Sequence, residues 1–199
     1  MRNRNLWNDG PCDADFQIAH PSFMASFIWM LILTLAAVGI TVVLSCVTPF
    51  AALAVALAAT VGLRASLSLM VAVWLANQLI GFALFHFPRT PETLLIGLAI
   101  GGAAVMGTMA AWLVLKRMRS RRVLLRLGLA LLISFAVYEL ALLAAVVFFG
   151  DLETFQPAVV AQLGFINAVS LMGMVALNEV LAALCRPWLG RIPRLARSW

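Results

Sequence analysis

The sequence predicts an all-α integral membrane protein, a bundle of six transmembrane helices with both termini in the cytoplasm. Three observations carry this. Hydrophobic residues make up 64% of the 199 residues and charged ones 11%, against roughly 45–50% and 25% in an ordinary soluble domain. Mean hydropathy is +1.03. The apolar residues also fall into runs near the ~20 residues that cross a ~30 Å hydrocarbon core. Such a composition excludes a soluble enzyme, a disordered chain and a disulfide scaffold.

The chain begins with a polar stretch, residues 1–21, that carries Arg2, Arg4, Asp9, Asp13 and Asp15. A secretion signal would place its apolar run directly after the basic start, so the first apolar segment, 22–45, reads as a retained anchor. The second, 49–63, is short for a span, at roughly 22 Å for a helix of that length. It is still read as spanning, because irregular backbone exposed to lipid leaves amides unpaired. The third to sixth segments are 65–86, 93–115, 123–149 and 158–184, which complete a transmembrane domain over 22–185. A basic tail, 186–199, follows.

Charge orients the bundle. Of the 14 Lys and Arg residues, only Arg89 falls on the outer side when both termini are inside. The densest group is Lys116, Arg117, Arg119, Arg121, Arg122 and Arg126, between the fourth and fifth segments. This is the positive-inside pattern, so the net charge of +6 calls for no nucleic-acid partner. The same cluster suits anionic lipid headgroups. The chain reads as a multi-pass protein of a bacterial inner membrane. Cys12 and Cys185 fall in the reducing cytoplasm and Cys46 at the outer end of the first segment, so no intrachain disulfide is expected.

Small residues recur four apart in two segments. Ala52, Ala54, Ala56 and Ala58 mark the second; Gly97, Gly101, Ala103, Gly107 and Ala111 mark the fourth. Such stripes let helices approach closely in lipid. They serve either packing within the bundle or docking of another membrane subunit.

Polar residues at membrane depth are costly and turn toward the bundle interior. Ten polar or amphipathic residues fall in the outer half: Cys46, Thr48, Trp74, Asn77, Gln78, His86, Tyr138, Glu139, Gln162 and Asn167. Fewer fall in the inner half, where Ser68, Ser134, Asn178 and Glu179 lie. The asymmetry predicts an outward-facing pocket for a polar small molecule, with amides and a phenol for hydrogen bonding and aromatic rings for stacking. Glu139 stands out, because a carboxylate there must be protonated, paired or hydrated. Cys46 is the one candidate metal ligand, as a thiol suits a soft or borderline metal. No catalytic role is predicted and no cofactor is called for. His20 and His86 lie on opposite sides of the membrane, which separates them from each other and from any serine at shared depth. The motif HExxH is absent.

The architecture resembles the S components of energy-coupling-factor transporters, over residues 22–185. The segments Cys46-Val-Thr48-Pro49-Phe50-Ala51 and Trp74-Leu-Ala-Asn77-Gln78-Leu-Ile-Gly81-Phe82 are similar to motifs of that family. The resemblance implies a substrate-binding membrane subunit for a vitamin-like solute, working with a coupling transmembrane subunit and a pair of ATPases. Some members take up cobalamin, which would give Cys46 the cobalt of a corrinoid to meet. This chain departs from the family in its stripes, which lie on the second and fourth segments and not on the first. The other reading of the sequence is a non-catalytic assembly or accessory subunit of a larger membrane complex.

Overall fold

A computed structural model describes residues 48–118, 122–149 and 156–184, with side chains through 147 and 180 in the last two stretches. The predicted first segment, the polar start, the basic tail, Cys46 and Cys185 lie outside the described residues. Five helices and no strands occur among the described residues: α1 Phe50–Thr60, α2 Leu63–Ala83, α3 Pro91–Arg117, α4 Val123–Phe149 and α5 Pro157–Leu184. Helices α2 to α5 are long and apolar enough to cross a membrane. The protein therefore has the make-up of a helical membrane protein.

The four long helices follow the sequence reading closely. At α3 the start moves out to Pro91, because Thr90 caps the helix and Pro91 occupies its first turn. Thr90 Oγ1 accepts from the Thr93 N–H at 3.4 Å. Proline suits that position, as the N–H it lacks would have no helical partner anyway. At the other end of α3, Lys116 Nζ lies 4.6 Å from the Trp112 ring centroid, which places a cation on the dipole-negative end.

The second predicted segment differs most. Expected as a span over 49–63, it forms a helix of only 11 residues, Phe50–Thr60, or about 16 Å. Pro49 precedes it, and at Val61 the backbone turns extended before α2 begins. The helix is short because it does not face lipid. Residues 50–59 are all buried, at 3% exposure or less, and α1 packs against all four long helices. Leu79, Leu124 and Phe165, on α2, α4 and α5, are 70% exposed or more. The long helices thus offer their outer faces to the hydrocarbon and wrap their inner ones around α1.

Paired contacts fix the register. Trp74 lies on Gly101 and Gln78 on Gly97, so four residues forward on α2 match four back on α3. Ser134 Oγ donates to the Gly107 carbonyl at 3.0 Å, and Arg126 Nη2 donates to the Leu115 carbonyl at 3.3 Å. The pairs α2–α3 and α3–α4 are therefore antiparallel hairpins. Thr48 meets Asn77, which makes α1 and α2 a hairpin as well.

Both small-residue stripes are used within the chain. The alanines of α1 are its central packing surface. On α3, a methyl group at Gly101 would come within 2.6 Å of the Trp74 ring, and one at Gly107 within 3.2 Å of Ser134 Oγ. Glycine is present at these points because a ring or a neighbouring helix needs the space.

Candidate functional site

Because α1 is short, its N-terminus lies inside the bundle. Asn77, level with that terminus, is the fifteenth residue of α2, about two-thirds of the way along its length. A helix start at such depth carries N–H groups that its own turns cannot satisfy. Water is scarce there, so the protein must supply the acceptors.

It does so with groups that the sequence marks as polar at depth. Asn167, on α5, presents Oδ1 to the Ala52 N–H at 3.0 Å. Its Nδ2 donates to the Leu163 carbonyl at 2.9 Å, which holds the amide in that orientation. The Phe50 N–H donates to the Thr48 carbonyl at 2.8 Å, and the Leu53 N–H to the Pro49 carbonyl at 3.0 Å. Thr48 Oγ1 donates to Asn77 Oδ1 at 2.8 Å. Asn77 and Asn167 are both buried. The Asn77 carbonyl is engaged, and its NH2 carries the remaining donors.

The ring of Tyr138 stands beside that of Phe50, with centroids 6.1 Å apart and planes inclined by 33°. Glu139 follows on α4. Phe135, one turn earlier, faces α5 at Gly164, so helical spacing puts Glu139 on the same side of α4. It is partly buried, and its Oε1 is enclosed without a hydrogen-bond partner.

Thr48, Asn77, Asn167 and Tyr138 therefore gather about the start of α1, and Glu139 follows Tyr138 on the side of α4 that faces α5. Trp74 and Gln78 are set aside in the seam between α2 and α3. Trp74 Nε1 donates to the Gly97 carbonyl at 2.8 Å, and Gln78 packs against Gly97. His86 does not join the group. It is exposed on the connection after α2, with its Nδ1 3.0 Å from the Leu84 carbonyl. Its φ of 53° is left-handed, and it ends the helix while Phe87 folds its ring over Gly81. Gln162 is exposed on α5. Cys46 lies outside the described residues, among which no three metal-ligating side chains cluster.

Sequence reasoning missed that the polar residues serve a helix start. The signal was present in Thr48-Pro49 ahead of an apolar run too short to span. It also assigned no role to Asn178, whose amide is fully buried with neither polar atom partnered among the described residues.

No family model, curated protein or solved structure matches this chain.

Proposed function

We propose that the protein is a membrane-embedded substrate-binding subunit that takes up a vitamin-like small molecule across a bacterial inner membrane. In this reading both termini are cytoplasmic and the 84–90 connection faces outward. The start of α1 then opens toward the outer half of the bundle, directly after Cys46. The observation that carries the reading is the half-length α1, whose N-terminus is held at depth by Asn167 and Thr48. Broken helices in solute transporters present polar ends of this kind to their substrates near mid-membrane. Asn77 and Tyr138 stand beside it, Glu139 follows on α4, and in this reading Cys46 supplies a thiol for a corrinoid cobalt. A coupling transmembrane subunit and ATPases would drive release.

Binding of radiolabelled cobalamin and of a panel of other vitamins to purified protein tests this. We expect one ligand to bind, with loss of binding in Asn77→Ala and Glu139→Ala while both variants stay folded. If no vitamin binds, the proposal fails. The second reading, an accessory subunit of a larger complex, draws on one fact: Trp74, Asn167 and Ser134 spend hydrogen bonds on contacts between helices. Stoichiometric co-purification with a stable complex, without ligand binding, would favour it.

A further inference from the structure

The other end of α1 holds the most exposed question in the structure. Asn178 is 0% exposed, and among the described residues neither its Oδ1 nor its Nδ2 has a hydrogen-bond partner. Buried polar atoms are paired in the great majority of cases, and an unpaired one marks a strain, a switch or a bound guest. Its position is well defined. Asn167, Leu171, Met174 and Asn178 are the buried residues of one stripe on α5, within about 60° of arc at 100° per residue. That face meets α1, since Asn167 bonds Ala52 and Leu171 and Met174 join the core around α1. Asn178 lies eleven helical residues beyond Asn167, about 16 Å, whereas α1 runs eight residues beyond Ala52 to its last residue, Thr60, about 12 Å. The register therefore places Asn178 level with the turn that ends α1.

That turn is rich in neutral oxygen, part of it already engaged: the Leu57 carbonyl accepts from the Val61 N–H and the Gly62 carbonyl from the Ser66 N–H, both at 2.9 Å. A helix terminus carries carbonyls without helical donors and the negative end of the dipole. In α1 no basic residue occupies the last turn. Thr60 Oγ1 donates to the Ala56 carbonyl at 2.8 Å, and Ser66 Oγ, itself buried, donates to the Gly62 carbonyl at 3.2 Å. Both hydroxyls keep lone pairs for another donor or a cation. Glu179, the nearest carboxylate in sequence to Asn178, is turned away and exposed, and Arg64 is exposed as well. Gly62, in the turn itself, is also exposed.

We propose that this junction is a binding site for a monovalent cation, with Asn178 Oδ1 as its side-chain ligand beside the oxygens of the α1–α2 turn. Oxygen donors at the negative end of a broken helix are the surroundings in which sodium is held in membrane proteins. Among the described residues no carboxylate lies on this face, Glu179 being exposed, which favours a singly charged ion over calcium or magnesium, which are bound through carboxylates. This inference does not depend on any solute in the other half of the bundle.

Thermal unfolding of the full-length protein in detergent tests it, in sodium, potassium and choline chloride at equal ionic strength. A cation that binds only the folded state raises the midpoint saturably. We expect sodium or potassium to raise it by about 2–4 °C over choline. Asn178→Leu should keep the choline midpoint of the parent or exceed it, and should lose the cation response. Asn178→Asp should respond more steeply. Equal midpoints in the three salts for the parent protein overturn the proposal, as does a full cation response retained by Asn178→Leu. If Asn178→Leu does not fold, the parent salt series and Asn178→Asp decide: an Asp variant with no greater response than the parent counts against the site.

Discussion

Adjacent glycines on α3 make the packing quantitatively testable. Gly101 faces the Trp74 ring; a methyl group there would lie 2.6, 2.8 and 2.9 Å from three ring atoms. Ordinary carbon contacts begin near 3.5 Å, so Gly101→Ala requires the ring to withdraw by roughly 0.6–0.9 Å. The indole is rigid and tied to Gly97 through a 2.8 Å hydrogen bond. It must therefore break that bond or push α2 off α3. Overpacking of this kind costs about 1–3 kcal/mol, and loss of the bond adds about 1 kcal/mol. Gly102 supplies the control, because nothing lies within 4 Å of a methyl group placed there. Alanine at that point gains up to about 1 kcal/mol in helix propensity. The assay is the apparent midpoint for loss of monodisperse protein on heating, read by size-exclusion chromatography. The two terms total about 2–4 kcal/mol, so at about 2–4 °C per kcal/mol Gly101→Ala should fall by about 4–16 °C, while Gly102→Ala should hold or rise slightly. Equal midpoints for the two variants would refute the described seam between α2 and α3.

Three further outcomes follow from the same geometry. Asn167→Leu leaves the Ala52 N–H buried without its acceptor and should cost about 1–2 kcal/mol, measured as a midpoint drop that Gln162→Leu on exposed α5 surface does not share. Gly97→Ala meets only the far end of the Gln78 side chain, at 2.7 Å from Oε1; it should cost less than Gly101→Ala in the same heating assay. His86→Gly should leave the midpoint unchanged or raised, whereas His86→Val should lower it by about 1–2 kcal/mol, since a β-branched residue is ill suited to positive φ.

The four long helices were legible because lipid imposes a minimum run of apolar residues, and α2 to α5 each meet it. Boundaries moved by only a few residues where capping chemistry decided, as at Thr90-Pro91. What could not be read was α1. An apolar run buried on every side carries no periodic pattern to show which way it faces, and its alanines suit docking of a partner as well as packing within the bundle. Asn77 and Asn167 were visible as polar residues at depth, but their bonds cross 29 and 115 residues of sequence, and such pairings exist only in three dimensions. Gly97 and Gly101 marked a close approach without naming Gln78 and Trp74 as its occupants. At His86 nothing local announces a left-handed residue, because that role ordinarily falls to glycine or asparagine.

The cap on α1 also bears on how the chain is made. Ala52 emerges from the ribosome more than a hundred residues before Asn167, so the earliest of the described helices waits for the latest before its first turn is complete. Until then a greasy half-length rod must be sheltered with its leading amides unanswered. Synthesis stopped ahead of α5 would thus leave a defect at the middle of the molecule and not merely a missing edge. Quality-control proteases would have a clear difference to detect between nascent and finished chains.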